Sequence, residues 1–140
     1  MLLTIVCAVD ESPGAAEAIA VAAALSEGLG LRLVLAHVVE GDGPSNGLDT
    51  GGVQGHRGGQ RLLERVARKH NLERAADRRA EVGDRASELS RIAGEEAAVL
   101  IVVGSRGRYR GGRGRLSRLS AELGSTAPCP VVVVPPHPRR

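Results

Sequence analysis

Short apolar runs recur along the chain and are separated by longer stretches in which apolar and polar residues mix. These runs are rich in β-branched residues, too short for ordinary helices, and do not alternate apolar with polar positions. That pattern is typical of strands covered on both faces, as in a parallel sheet. It predicts four strands, Leu3–Val9, Leu31–Val39, Val99–Val103 and Val131–Val134.

The stretches between the strands carry apolar residues at helical spacing. The first helix is predicted to open with Ser12 as N-cap and Pro13 at the first helical position, and to end at Gly28 or Gly30. The others are predicted from about 59 to 70, from about 84 to 94 with carboxylates capping its first turn, and from about 114 to 123.

Alternating strands and helices predict an α/β fold, a three-layer sandwich with right-handed crossovers. A further strand is expected at Ala75–Val82, where the charged composition suits an edge position rather than a central one. Residues 41–59 contain eight glycines and are predicted to form a mobile loop. The length, 140 residues, predicts a single domain over 1–140.

Composition adds one feature that the hydrophobic pattern does not explain. Tyr109 is the only aromatic residue, Lys69 is the only lysine, and the net charge is +3. Six of the arginines nevertheless fall between Arg106 and Arg118, together with four glycines. This Arg/Gly cluster is either an anion-binding loop or a solvated loop whose charges repel one another, as most charge runs are.

The composition and the residue spacing also exclude several classes of protein. No run of 18 or more apolar residues could span a membrane, and the first ten residues lack the features of a signal peptide. Cys7 and Cys129 do not make a disulfide scaffold, and Cys7 is expected to be a buried, reduced thiol. The histidines are scattered and show no metal-ligand spacing. We therefore expect a cytoplasmic protein without a metal site of its own.

Two segments follow predicted strands at the edge where parallel sheets bind ligands, beyond the carboxyl ends of the strands. One is Val9–Ser12, which includes Asp10, and the other is Gly104–Gly107. Glycines there allow close backbone approach, and free N–H groups can hold an anion. Each feature also has a purely structural interpretation. The two glycines could simply turn the chain from strand to loop, and Asp10 could be a turn residue of the kind that is common at strand ends.

The sequence at these positions resembles the universal stress protein family over nearly its full length. The matching segments are VCAVDES at 6–12, LVLAHVV at 33–39, LIVVGSRG at 100–107 and APCPVVVV at 127–134. The resemblance implies a five-stranded parallel sheet of order 3-2-1-4-5 with helices on both faces. It also implies a homodimer formed through the last strand, Val131–Val134. The alternative is that this strand is merely a sheet edge, but an unpaired valine edge would favour aggregation, so the dimer is favoured on physical grounds too.

Family members that bind ATP carry G-x-x-G, nine residues, and then Gly followed by Ser or Thr. Gly104 and Gly107 match the first half, but Ser117 and Arg118 stand where the second half is expected. The side chain at 117 can crowd the phosphate turn, whereas Arg118 supplies a cation. The resemblance thus implies an altered phosphate region, over which Arg106 could reach.

The other half of that site is intact in the sequence. Asp10, after Val9, matches the acidic residue that lies near the ribose and adenine in ATP-binding members, and Val39 matches the apolar position near the base. The resemblance therefore implies a stress-response module that binds an adenine nucleotide, ATP with Mg²⁺, at the carboxyl ends of strands 1 and 4.

Three other functions have to be weighed against nucleotide binding. The chain could be a dimeric interaction protein that binds no nucleotide, which the residues at 117 and 118 would equally support. Binding of RNA or another polyanion through the Arg/Gly cluster is less favoured, because Tyr109 alone could stack on bases. An enzyme is not expected: the motifs HxGH and SGGxDS are absent, Ser105 lies outside a G-x-S-x-G elbow, and Asp10 and Glu11 would point to opposite faces of a strand.

Overall fold

Strands and helices alternate along the chain. The structure, a computed structural model, describes residues 3–12, 14–41, 50–105 and 118–136. In chain order the elements are β1 (Thr4–Ala8), α1 (Ala15–Leu29), β2 (Arg32–Val39), α2 (Thr50–Lys69), β3 (Ala76–Val82), α3 (Arg85–Glu95), β4 (Ala98–Gly104), α4 (Arg118–Thr126) and β5 (Val131–Val134).

The strands form one parallel sheet in the order β3-β2-β1-β4-β5, which confirms the expected topology. Val6 in β1 pairs with Val34 on one side and with Ile101 on the other. The strand order therefore reverses at β1, because the chain moves outward to β3 and then crosses back to β4. A crevice at the carboxyl ends of β1 and β4 is the usual result.

Two apolar clusters cover the two faces of the sheet. Ile5 and Cys7 of β1 lie in the cluster with Ile19 and Leu63 from α1 and α2. Val6 lies in the opposite cluster with residues of α3 and α4. Neighbouring residues of a strand point to opposite faces of the sheet. The central strands therefore bury aliphatic side chains on both faces.

The edge strand β3 is held by ion pairs rather than by apolar packing alone. Only Ala76 and Ala80 of this strand are buried. Arg79 lies 3.1 Å from Glu81, 2.9 Å from Glu95 and 3.1 Å from Glu96. These contacts join β3 to the end of α3, which explains how a charged sequence forms a regular strand at the predicted edge.

The predicted start of α1 is wrong. Ser12 does not cap the helix: the N-cap is Gly14, without a side-chain hydrogen bond. Instead, the backbone N–H of Ser12 donates to Oδ1 of Asp10 at 2.8 Å, and its hydroxyl donates to the same oxygen. This turn competes with capping for the Ser12 hydroxyl. The predicted C-terminus is confirmed at Gly30, which has a φ of 67°.

The predicted loop over 41–59 is also wrong in its second half, because α2 already includes Thr50 and does not begin near Gly59. The glycines of the first turns allow the helix to lie close to the sheet. A Cβ at Gly59 would lie 3.0 Å from the Cβ of Ala80, and one at Gly55 would lie 3.3 Å from Val82. Packing here overrides low helix propensity. Residues 42–49 lie outside the described residues.

The last two helices agree with the prediction in part. In α3, Asp84 is the N-cap and accepts a hydrogen bond from the N–H of Ser87 at 3.0 Å. The fourth helix continues to Thr126, three residues beyond the predicted end, and its predicted start at 114–117 lies outside the described residues. No helix in the part of the chain described here combines the length and apolar character of a membrane span.

Candidate functional site

The two segments singled out in the sequence lie at the same edge of the sheet. Cys7 in β1 pairs with Val102 in β4, so Val9 and Gly104, two residues further on, both lie at the carboxyl edge. Asp10 follows directly. The sheet thus places Val9, Asp10 and Gly104 together, as the order of strands requires.

Asp10 is half-buried, and one of its carboxylate oxygens is already used. Oδ1 accepts from the N–H and hydroxyl of Ser12. No donor among the described residues lies at Oδ2. The turn role considered for Asp10 is therefore real, and it leaves one oxygen that can accept from another group.

Val9 contributes its backbone more than its side chain. It is 3% exposed and belongs to the core on the α1–α2 face. Its N–H donates to the carbonyl of Ala36 at 2.7 Å. Its carbonyl lies 2.6 Å from Nδ1 of His37, so this nitrogen carries the proton and Nε2 is the acceptor in the neutral ring. These contacts fix the end of β1 against β2.

Gly104 has a packing reason to be glycine. A Cβ there would lie 2.7 Å from the carbonyl oxygen of Gly14, and a Cβ on Gly14 would lie 2.6 Å from the carbonyl oxygen of Ser105. The end of β4 and the start of α1 therefore touch backbone to backbone. The Oγ of Ser105 is buried here without a hydrogen-bond partner in the described part of the chain.

Arg118 is the first described residue of α4 and points outward: its side chain is 92% exposed and pairs with Glu122 at 2.9 Å. The remaining predicted site residues, Arg106, Gly107 and Ser117, lie outside the described residues, as does most of the Arg/Gly cluster.

In the part of the chain that the structure describes, two clefts and a small cavity open at the carboxyl edge. The α3–α4 cleft, of about 420 Å³, is bordered by Glu40, Asp84, Arg85, Arg118, Leu119 and Glu122. The α2 cleft, of about 390 Å³, is bordered by Asp10, His37, Val39, Gly55, Gly59 and Arg85. The cavity, of about 20 Å³, is bordered by Val9, Asp10, Val38, Arg85, Leu89 and Leu119.

Among the described residues of the predicted site, Val39, Asp10 and Arg118 are distributed over these spaces rather than gathered in one. Val39 borders the α2 cleft and Arg118 borders the α3–α4 cleft. Asp10 borders the α2 cleft and the small cavity. Asp10 therefore lies between the candidate base position and the α3–α4 side of the sheet.

Arg85 was missed by the sequence analysis and borders both clefts and the cavity. It is the first residue of α3, its side chain is 25% exposed, and its Nε lies 3.5 Å from Glu40. The sequence contained a sign of this role. A cation in the first turn of a helix interacts unfavourably with the helix dipole, so an arginine at that position suggests a role other than helix stabilisation.

The Cys7 thiol is another reactive group near this edge of the sheet. Burial raises the pKa of the Cys7 thiol to about 12, and the Asp10 carboxylate adds to this shift. Cys7 is thus a neutral core residue. The described residues contain no cluster of three His, Cys, Asp or Glu side chains that could hold a metal ion.

Comparison with known proteins is consistent with this geometry. The model of the universal stress protein family matches residues 1–135. No curated protein sequence gives a significant match. Among solved structures, the universal stress protein UspA from Lactobacillus plantarum is 18% identical with a TM-score of 0.73, over 94% of this chain and 97% of that one.

Two further similar structures are complexes with nucleotides. A universal stress protein in complex with cAMP is 22% identical with a TM-score of 0.70, over 96% of this chain and 98% of that one. The protein from Archaeoglobus fulgidus in complex with dAMP is 20% identical with a TM-score of 0.66, over 94% and 97%. At these identities the structures establish a shared fold, and the match of the family model over 1–135 establishes that the chain belongs to the universal stress protein family.

Proposed function

We propose that the protein is a cytoplasmic stress-response module of one domain over 1–140, which binds an adenine nucleotide at the carboxyl edge of β1 and β4 and acts by binding rather than by catalysis. The observation that carries the proposal is the position of Asp10, which has one available carboxylate oxygen and borders both the α2 cleft, of about 390 Å³, and the small cavity on the α3–α4 side. Clefts of this size suit a ligand as large as a nucleotide.

The residues at this edge fit the parts of an adenine nucleotide. Oδ2 of Asp10 can accept a hydrogen bond from a ribose hydroxyl, and Val39 offers an apolar wall for the base. Arg118, with Arg106 and the segment from Gly104 through Gly107 to Ser117, would meet the phosphates. The structural relatives described with cAMP and dAMP support an adenine ligand.

ATP with Mg²⁺ is the specific form that we propose. Mg²⁺ is commonly held by one or two carboxylates together with phosphate oxygens. Asp84 and Glu122 border the α3–α4 cleft and are the carboxylates that could contribute there. The ion would arrive with the nucleotide and would offset part of the phosphate charge.

Calorimetry with ATP on nucleotide-free protein tests the proposal. We expect saturable binding that Asp10→Ala weakens, because the ribose loses its acceptor. Asp77→Ala is the matched control, since Asp77 lies in β3 and pairs with Arg32 at 2.7 Å. Gly107→Val should weaken binding of the phosphates while the protein stays folded. Absence of heat and of a thermal shift at millimolar ATP would end the proposal.

A homodimer through β5 is the second proposal, and it rests on the sheet edge. Ile101 donates to the carbonyl of Pro130, and Ser105 donates to that of Val134. Because alternate residues of a parallel strand face one neighbour, Val131 and Val133 direct their backbone groups away from β4. These groups are the ones that a second copy would pair.

Val133→Pro tests the dimer without removing a bond to β4, because proline is tolerated where the N–H points away from the sheet. Light scattering coupled to size exclusion should give a dimer for the unmodified chain and a monomer for the variant. A monomer before substitution would refute this mode of assembly.

A further inference from the structure

Arg85 is a partly buried cation with little to hold it inside the protein. Its side chain is 25% exposed, and its ion pair with Glu40 is long, at 3.5 Å, to a partner that is itself 68% exposed. Other arginines of similar burial are held more closely. Arg78 lies 2.8 Å from Glu64, and Arg79 lies within 3.1 Å of three carboxylates.

The position of Arg85 in its helix is also unfavourable for a positive charge. Arg85 is at the first position of α3, where the exposed N–H groups of the helix repel a cation. The Asp84 carboxylate next to it is engaged with Ser87. The site therefore holds a positive charge that helix formation disfavours and that the intramolecular partner offsets only weakly.

The guanidinium nevertheless borders space that a ligand can enter. Arg85 lines the clefts on both faces of the sheet, together with Asp10 on one side and Arg118 on the other. A planar guanidinium donates a fork of hydrogen bonds that matches two oxygens of a phosphate. An anion in the cleft at Arg85 would offset its charge and accept hydrogen bonds from its donors.

We propose that Arg85 binds the first phosphate of the adenine nucleotide, the phosphate that AMP also carries, and that Glu40 is the internal counterion which this phosphate displaces. The inference rests on the proposed nucleotide site and deepens it, because it assigns discrimination between nucleotide and nucleoside to a residue outside the G-x-x-G segment. Glu40 ends in solvent, so it can turn away at little cost in packing. While paired, Glu40 lowers the affinity of the site for anions.

Titration calorimetry with AMP and with adenosine, on the full chain, tests this assignment. Arg85→Gln should weaken AMP binding roughly tenfold, as expected for the loss of one charge-assisted contact, and should leave adenosine binding within about twofold. Arg85→Lys keeps the charge without the fork and should lie between them. Glu40→Gln should strengthen AMP binding severalfold.

A matched ion pair serves as the control. Arg68 and Glu73 are 4.0 Å apart and exposed, and they lie on the segment from the end of α2 to β3. Arg68→Gln and Glu73→Gln should leave both affinities unchanged. Thermal unfolding of each variant shows that the fold persists.

The outcomes separate this inference from the proposal beneath it. If the unmodified protein binds AMP and Arg85→Gln binds it equally well, the role of Arg85 is refuted and the nucleotide site stands. If the unmodified protein binds neither AMP nor adenosine, both are refuted. A loss of AMP and adenosine binding together in folded Arg85→Gln would also overturn the assignment, since it would show that Arg85 shapes the whole cleft.

Discussion

The carbonyl oxygen of Gly14 lies where a side chain on Gly104 would have to be. A Cβ at position 104 would come within 2.7 Å of that oxygen, closer than carbon and oxygen can approach. The glycine at the end of β4 is thus required by its contact with the start of α1, whatever else the G-x-x-G segment does. A loss of ligand binding after substitution of Gly104 would therefore not by itself locate a phosphate.

Gly104→Ala should destabilise the protein by roughly 1–3 kcal/mol, the usual range for overpacking. The new methyl group must push α1 away from β4. Chemical denaturation would measure the loss. Gly124→Ala is the control: a Cβ there meets nothing within 4 Å, and alanine in a helix should stabilise by roughly 0.5–1 kcal/mol. Equal effects of the two substitutions would contradict the backbone contact.

The two cysteines should differ sharply in reactivity. Cys7 is 0% exposed, and burial raises its pKa to about 12. Cys129 is half-buried, and burial raises its pKa as well. A thiol reagent such as DTNB at pH 8 should therefore modify Cys129 slowly in the native state, and Cys7 only after unfolding. Cys129→Ser should abolish native-state labelling, and rapid labelling of that variant would contradict the burial of Cys7.

Asp84 should make the stability of α3 dependent on pH. The hydrogen bond from the Ser87 N–H is the main reason that the pKa of Asp84 lies below its ordinary value of 3.8. A lowered pKa in the folded state stabilises the protein above the unfolded-state pKa, and this contribution disappears as the pH falls through the folded-state pKa.

Asp84→Ala should thus lower the melting temperature by a few degrees at neutral pH, because the cap is lost. The difference from the unmodified chain should shrink as the pH falls below about 4. Asp84→Asn keeps a capping side chain without the charge and should show the smaller effect. A difference that stays constant down to pH 2 would contradict a role for the carboxylate.

Arg79→Met should test the ion pairs at the β3 edge. The substitution keeps an unbranched side chain but leaves Glu81, Glu95 and Glu96 without their shared cation, and should cost roughly 1–2 kcal/mol, more than one exposed pair contributes. Denaturation at low and high salt measures this, because salt should weaken the unmodified chain more than the variant. Arg68→Met, whose ion pair is single and 73% exposed on the arginine side, should have little effect.

Sequence patterns predicted what depends on local composition. The β-branched runs predicted the strands, the charged run placed the strand predicted at Ala75–Val82 at an edge, and the acidic residue before α3 predicted its cap. What they missed depends on distant residues. The glycines at the start of α2 looked like a loop because their packing against β2 and β3 is invisible locally.

In the candidate site, too, some features could be predicted from the sequence and others depend on residues far apart in the chain. Asp10 and Gly104 could be placed at one edge from strand order alone. The contact of Gly104 with Gly14, and the position of Arg85 between two clefts, arise from how separate helices meet that edge. Arg85 left only an indirect sign in the sequence, a cation where a helix begins.

The contrast between the two edges of the sheet has a consequence for assembly. At β3, arginines and glutamates satisfy one another across the strand and the neighbouring helix, so an incoming strand would have to break these bonds without gaining apolar contact. At β5 the strand is four valines. In the proposed dimer each copy would use its β5 edge once, and the charged β3 edges left at the two ends would oppose further strand pairing.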